Sequence, residues 1–390
     1  MALVPIRYSV RSLGQRLTSS TMTALSVALV VMVLTILLGF VNGLHRTMML
    51  AADPDNHIVL MRGVTIEAGF INHETLDLLR VRPEIATDAN GHPLMSPEIL
   101  IPFDPTPDAP RASTATIRAV LPIAYEVHRN VRIIQGRRPE RGKNEWIVGQ
   151  RLAARFPGLH PGAKMRLGQS KVDFTIVGVF SDNGSTRESE VWMDLNDLSV
   201  VAHIPPAELG ANVIHLVLKP GYDDQFKTAL RSDNRLKVDL YSEQAFYQQA
   251  AGFSNQIRDL GLVVAVILAI GSLFGAMNTM YSAVARRRRE VGTLRALGFG
   301  RGNVLAAFII ESTVLGLCGG LIGEVLAVAV AHATGLESRL MTVGNIMFSF
   351  DLPPSAFGYG MVWAVSIGVL GGLLPAWQAS RLDVVNALRD

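Results

Sequence analysis

The stretch SAVARRRREVGTLRALGFGRGNVLAAFIIES (residues 282–312) places four consecutive arginines, Arg286 to Arg289, between two long apolar runs. Dense positive charge beside such runs is the mark of a chain that meets a bilayer. No charged side chain occurs from Leu17 to Leu44, from Leu260 to Ala285 or from Leu352 to Ser380, and about 20 such residues cross a hydrocarbon core roughly 30 Å thick. A fourth run, Val304 to Ala331, is equally apolar apart from Glu311 and Glu324. Four spans are predicted. With 49% hydrophobic and 18% charged residues and a mean hydropathy of +0.29, the composition is unusual for a water-soluble enzyme. The first run exceeds a signal-peptide core and lacks a small-residue cleavage site, so it is read as a retained anchor.

Arginine placement sets the expected orientation. Arg7, Arg11 and Arg16 precede the first span with no acid, and the segment Arg286–Asn303 carries six arginines against Glu290 alone. The tail holds Arg381 and Arg389 against Asp383 and Asp390. These three segments are predicted to be cytoplasmic. The connection His332–Asp351 has Arg339 against Glu337 and Asp351, and the insert Arg46–Asp259 has 24 Lys and Arg against 26 Asp and Glu. Both are predicted to lie outside. The pI near 9.1 is thus a topology signal, and nucleic-acid binding is not expected. Cys318, the sole cysteine, sits in an apolar run, which excludes an intrachain disulfide and a thiolate metal cluster.

The fold class expected is an α-helical membrane protein with four transmembrane helices and a mixed α+β extracytoplasmic domain inserted between the first and second. A basic amphipathic segment (1–21) precedes span one (22–45). The inserted domain with helical stalks covers 46–255, followed by span two (256–285), a basic cytoplasmic segment (286–302), span three (303–331), a short outer loop (332–356), span four (357–377) and a tail (378–390). Within the insert, HIVLM (57–61), KMRLGQSKVDFTIVGVF (164–180) and NVIHLVLKPG (212–221) read as strands. In the middle one Val172, Phe174 and Ile176 alternate with polar residues after the turn at Gly168-Gln169-Ser170. Asn72 caps a helix with Leu76, Leu78 and Leu79 on its apolar stripe and Pro83 as its stop. IPFDPTPDAPR (101–111) reads as a loop. The flanks NGLHRTMMLAA and SEQAFYQQAAGFSNQIRDL hold no proline, so helices are expected to run from the bilayer into the domain, with Gly43 and Gly252 as the points of weakness.

No catalytic residues are identified. GRRPERGKN (136–144) has five residues where a P-loop has four, and Asn144 where it has Ser or Thr. His73-Glu74 lacks a second histidine, the nine histidines show no paired ligand spacing, and no G-x-S-x-G turn occurs. No metal site is predicted. Glu311 and Glu324 are intramembrane acids and so candidates for function. At helical rise they lie about 12 and 32 Å beyond Asn303, where water or headgroups could also account for them. Glycines four apart, Gly271 and Gly275, Gly316 and Gly320, Gly319 and Gly323, Gly368 and Gly372, read as helix-packing sites, with Gly271 and Gly275 open to a dimer contact. The arginine run alone would serve as a topology determinant facing anionic lipid. It continues, however, as REVGTLRALG, where Val291, Leu294 and Leu297, or Leu294 and Gly298, share a helical face. That stripe suits docking into a partner's groove.

The residues Arg287, Arg289, Glu290, Val291, Gly292, Leu294, Arg295, Ala296, Leu297 and Gly298, followed by Phe308, Glu311 and Gly316, resemble the signature of MacB/FtsX-type ABC transporter permeases. The closing PAWQASRLDVVNALRD is similar to that family's end, with Val384 where proline is usual and Asn386 where Glu is usual. GRRPERGKNEWIVGQRLAARFPGLHPGAKMRLGQSKVDFTIVGVFSD and VWMDLNDL look like the MacB periplasmic core domain. The resemblance implies a multi-pass permease of the bacterial inner membrane with both termini cytoplasmic, acting as a homodimer or with a paralogous permease. ATP and Mg would be bound by a separate cytoplasmic ABC ATPase subunit, this chain binding no cofactor and being no enzyme, and a periplasmic adaptor is a possible partner alongside membrane lipid. It further implies a coupling helix over 286–302, with Arg287, Arg289, Glu290, Val291, Gly292, Leu294, Arg295, Leu297 and Gly298 as the ATPase-coupling residues. The implied work is export or extraction of a substrate by mechanotransmission (type VII), in which ATP hydrolysis moves the outer domain. A membrane-anchored sensor or scaffold, or a proton-coupled carrier using Glu311 and Glu324, are the alternatives.

Overall fold

The computed structural model describes residues 17–382 apart from 67, 106–114, 168–171 and 206–207. The basic segment before residue 17, most of the proline-rich stretch, the turn at 168–170 and the tail from 383 lie outside the described residues. Two compact units form. A membrane unit takes the chain up to Gly43, Ser254–Arg339 and Phe350 onward, and an inserted domain takes Leu44–Phe253 together with Leu340–Ser349.

The first span, α1 (Leu17–Met49), is one 33-residue helix. Gly43 does not interrupt it. The inserted domain then lays down β1 (Asn56–Met61), α2 (His73–Arg80), β2 (Met95–Phe103), β3 (Ala115–Val120), α3 (Ala124–Val127) and β4 (Arg132–Gly136). After these come β5 (Glu145–Gly149), α4 (Gln150–Arg155), β6 (Lys164–Arg166), β7 (Asp173–Ser181) and β8 (Glu190–Asp194). It closes with α5 (Leu195–Ala202), β9 (Val213–Val217), α6 (Asp223–Ser232), β10 (Val238–Ser242) and α7 (Glu243–Ala250). All ten strands join one sheet in the order β10-β1-β9-β2-β3-β8-β5-β7-β4, with β6 on β7. As the alternation around Phe174 predicts, β6 and β7 pair antiparallel, Lys164 opposite Thr175 and Arg166 opposite Asp173. Asn72 caps α2, its side chain accepting from the Thr75 amide at 3.1 Å.

The sheet has two halves, and β2 joins them. Met95 to Glu98 pair with β9, whereas Ile99 to Phe103 pair with β3. Each half has its own apolar core. On the β9 side Val59, Leu79, Ile214 and Leu216 pack with Phe226 and Leu230 of α6. On the β3 side Trp146 stacks on Phe174 (4.8 Å between centroids) and meets Phe103 edge-on. With no disulfide to help, burial of such aromatics is what holds the domain together.

The connection at 332–356, expected as a short loop, contains a β-hairpin of β11 (Leu340–Val343) and β12 (Ile346–Ser349) that belongs to the inserted domain. Gly344, at φ +61, allows the tight reversal. Met347 is fully buried in the β3-side core. Its amide donates to Ser189 Oγ (3.0 Å), and its carbonyl accepts from Arg151 Nη1 (3.0 Å). A sequence window too short for a clear period hid this pairing.

The membrane unit adds α8 (Gly252–Arg286), α9 (Arg288–Ala296), α10 (Arg301–Ala333) and α11 (Pro354–Ser380). A single residue, Ala251, separates α7 from α8. Four of these helices, α1, α8, α10 and α11, are long and apolar enough to cross a membrane. Glycines let three of them approach closely. A Cβ on Gly316 would stand 2.5 Å from the Ala364 carbonyl oxygen, one on Gly320 2.7 Å from Ala364 Cβ, and one on Gly319 2.8 Å from the Ala24 carbonyl oxygen. α1 meets α8 through Thr23 and Thr279 (2.7 Å) and Ser26 and Ser272 (3.1 Å).

Candidate functional site

Helix α9 is built to be short. Arg287, at φ −106 and ψ 17, breaks it from α8. At the other end Gly298, at φ +93, supplies the left-handed residue that a β-carbon disfavours. The Gly298 amide donates to the Arg295 carbonyl and the Phe299 amide to the Leu294 carbonyl, both at 3.1 Å, the pair of hydrogen bonds that closes a helix end. Glu290 sits in the first turn, where the helix dipole favours an acid.

Three side chains fasten α9 to the spans. Arg287 Nη1 donates to Glu311 Oε2 on α10 at 2.9 Å, both side chains being largely buried. Arg295 Nη1 donates to the carbonyls of Ser380 (3.3 Å) and Leu382 (2.6 Å) at the end of α11. Val291 is buried with Met280 and Val284 of α8, Val304 and Phe308 of α10, and Ala376 and Ala379 of α11. One nine-residue helix is thereby tied to the neighbouring ends of three long ones.

The predicted residues divide by face. Arg287, Val291 and Gly292 turn inward; Leu294 and Arg295 are half-buried; Arg286, Arg288, Arg289, Glu290 and Leu297 are exposed. The single apolar stripe expected from Val291, Leu294 and Leu297 is split, because Val291 is spent on the spans while Leu297 is 73% exposed. Gly298 closes the helix. Glu311, read from sequence as an intramembrane acid, is the partner of Arg287. Glu324 lies elsewhere, its Oε1 and Thr35 Oγ1 both near the position a Cβ on Gly360 would take and both without a hydrogen-bond partner among the described residues. Gly316 and Gly320 pack against α11, but a Cβ on Gly271 would meet nothing within 4 Å among the described residues, and one on Gly275 would meet only Ser26 Oγ, at 3.9 Å. The packing expected at Gly271 and Gly275 is therefore not made within the described part of the chain. Sequence reading missed the two carbonyl acceptors for Arg295, since a backbone oxygen carries no residue signature.

Two family profiles match this architecture: the MacB-like periplasmic core domain over residues 20–233, more than half of the chain, and the FtsX-like permease C-terminal over 262–384. The chain belongs to the MacB/FtsX-type family of ABC transporter permeases. Among its relatives are the uncharacterized ABC transporter permease YknZ of Bacillus subtilis, 30% identical over 50% of this chain and 50% of that one, and the uncharacterized ABC transporter permease MJ1507 of Methanocaldococcus jannaschii, 26% identical over 55% of each. The pyoverdine export ATP-binding/permease protein PvdT of Pseudomonas putida is 28% identical over 62% of this chain and 37% of its own. The chain thus spans about half, or less, of the length of the curated relatives it matches. Solved structures similar to it include the extracellular domain of YknZ from Gram-positive bacteria (TM-score 0.36, 12% identity, 48% of this chain and 99% of that one). The periplasmic region of MacB from Actinobacillus actinomycetemcomitans has the same TM-score, at 11% identity over 51% of this chain and 94% of that one.

This MacB/FtsX-type permease has a second charged centre, in the inserted domain. Arg118 on β3 grips Glu190 on β8 through Nε (2.6 Å) and Nη2 (2.7 Å), and its Nη1 holds Glu98 Oε2. Arg187 engages Glu243, Asp182 (3.2 Å) and the Ala51 carbonyl (2.8 Å). His128 Nε2 lies 2.7 Å from Glu98 Oε1. Burial pushes the Glu98 carboxyl up, but His215, His128 and Arg118 overcome it and hold it well below the usual carboxylate range. Burial pulls His128 down to about 4, helped by Arg187, so its imidazole is neutral near pH 7. No short motif announces this centre, because its members are spread from residue 98 to residue 243.

Proposed function

We propose that this chain is the membrane subunit of an ATP-driven exporter, in which α9 is the handle turned by a cytoplasmic nucleotide-binding subunit. One observation carries the reading: α9 is anchored to α8, α10 and α11 through Arg287–Glu311, Arg295 and Val291, while Arg288, Arg289, Glu290 and Leu297 face outward. An exposed leucine at one end of a short helix whose other end presents exposed charge is what a partner groove can recognise. A push on that face is delivered to three spans together. The inserted domain is the natural receiver, since α1 and α8 run in chain continuity with it and helices transmit displacement along their axes. The work is mechanotransmission: the substrate is moved at the outer face, and the bilayer need not open to it.

In this reading the bilayer is the bacterial inner membrane, the termini are cytoplasmic, and ATP and Mg sit in the partner subunit. Two copies of the permease, or one with a paralogue, meet through the uncovered face of α8 that includes Gly271. Export is supported by the names of relatives, which include pyoverdine and macrolide export proteins. A proton-coupled carrier using both intramembrane acids fits less well, because Glu311 is engaged by Arg287.

Co-purification tests the proposal. A tagged chain in mild detergent should bring down a nucleotide-binding protein, and Leu297→Asp should weaken that capture about tenfold, as burying a charge at an interface anchor does, without altering insertion. A wild-type chain that retains no such partner, or a Leu297→Asp variant with undiminished capture and ATPase stimulation, would overturn it.

A further inference from the structure

The seam between the two halves of the inserted domain carries chemistry that the transport reading leaves unused. Glu98 is the last β2 residue paired with β9, at the point where the strand passes to β3. His215 comes from β9, and His128 follows α3. Their side chains are 0, 3 and 0% exposed, respectively, and one donor atom from each lies within 4.8 Å of the others. Glu98 Oε1 is 2.7 Å from His128 Nε2, Glu98 Oε2 is 3.7 Å from His215 Nε2, and the imidazole centroids are 4.6 Å apart. Donors of a tetrahedral zinc ion stand roughly 3.3 Å apart, given metal–nitrogen distances near 2.0–2.1 Å. With one donor atom from each residue within 4.8 Å of the others, small side-chain shifts reach that spacing.

The surroundings are those of a ligand set. Behind His215, Glu243 Oε1 lies 3.3 Å from Nδ1, without a hydrogen bond between them; a small ring rotation would make the carboxylate-behind-imidazole contact that orients a metal-binding histidine and leaves Nε2 forward. Arg118 occupies Glu98 Oε2, and Oε1 lies 2.7 Å from His128 Nε2, a contact that a shared metal ion would replace. His128 Nδ1 has no hydrogen-bond partner among the described residues. Charge points the same way. Among the described residues Glu98, Glu190, Glu243 and Asp182 face Arg118 and Arg187, four carboxylates against two guanidiniums, buried together at considerable cost.

We propose that Glu98, His128 and His215 form a buried site for a first-row divalent transition cation, zinc by donor type, which clamps the two halves of the inserted domain. Two imidazoles and one carboxylate suit zinc, whereas calcium and magnesium prefer oxygen donors. One coordination position is left for water. A divalent ion also adds positive charge to that set.

The full-length chain, purified in detergent through a tag without histidine after exposure to zinc and dialysis, should hold about one equivalent of metal by mass spectrometry. A chelator should remove it and lower the unfolding temperature, and zinc should restore both. Cobalt in its place should give the visible bands of a tetrahedral site. Wild-type protein that is folded yet holds less than about a tenth of an equivalent, or shows no such cobalt bands, overturns the proposal. His128→Gln combined with His215→Asn should abolish retention, and full retention by a folded double variant also overturns it. Where that variant does not fold, the cobalt spectrum of the wild type and its reversal by chelator decide.

Discussion

The inserted domain and the membrane unit both bury arginines against carboxylates, but to opposite ends. In the inserted domain Arg118 and Arg187 close a many-membered network that runs from the sheet into the segments beside it. In the membrane unit Arg287 reaches Glu311 across two helices at the foot of a four-arginine run whose neighbours are exposed. The first arrangement fixes a shape, because each member is held by several others and none can leave alone. The second is a joint of few contacts, the Arg287–Glu311 pair, Arg295 on the end of α11 and the buried Val291. Interaction count, more than burial, separates the two arrangements.

The sharpest way to break the contrast is Arg118→Met, which leaves Glu98 and Glu190 buried without their cation; it should cost the inserted domain about 3–5 kcal/mol, read in denaturant by the fluorescence of Trp146 and Trp192. If the loss is under about 1 kcal/mol, the network is not what fixes the shape. Acid probes the same centre. His128 is held at about 4 by burial against about 6.5 in the unfolded chain, so metal-free protein should lose stability as the pH falls from about 6.5 toward 4, by about 3 kcal/mol at most. Glu98 acts in the same sense lower down, since a depressed carboxyl stabilises only while it is ionised. Asp182, raised by its burial, works against both. A stability that is flat across this window would show His128 to be charged in the fold.

On the membrane side, Gly316→Leu should cost about 1–3 kcal/mol by forcing α10 away from α11, measured as loss of the detergent-folded fraction on heating. Gly271→Leu should leave that fraction unchanged and alter the oligomer mass. Smallest in stability and largest in meaning is Glu290→Lys, on the exposed face of α9. It should shift stability by less than about 0.5 kcal/mol while reducing stimulation of the partner's ATPase. Normal stimulation would mean that α9 is not gripped on that face.

Much of this was legible in the chain. Four spans follow from uninterrupted apolar runs, because hydrocarbon tolerates little else. The Asn72 cap and the β6–β7 pairing follow from local chemistry that acts within a few residues. The arginine run marked the right segment but not the division of labour within it: that Arg287 turns inward and Leu297 outward depends on where α9 breaks from α8. The buried centre was illegible for a deeper reason. Glu98, His128, His215 and Glu243 come together only through strand order, and a reading that sought histidines at paired spacing along the chain could not find ligands supplied by neighbouring strands.

The hairpin at residues 340–349 bears on how this protein can be divided. A soluble fragment cut at Leu44 and Phe253 would omit it, leaving a hole the size of the Met347 side chain among the aromatics, stripping Ser189 of its Met347 partner and leaving Arg151 with Thr47 and Glu188. Such a fragment should be sticky and short-lived in solution, and a fused copy of the ten missing residues should cure it.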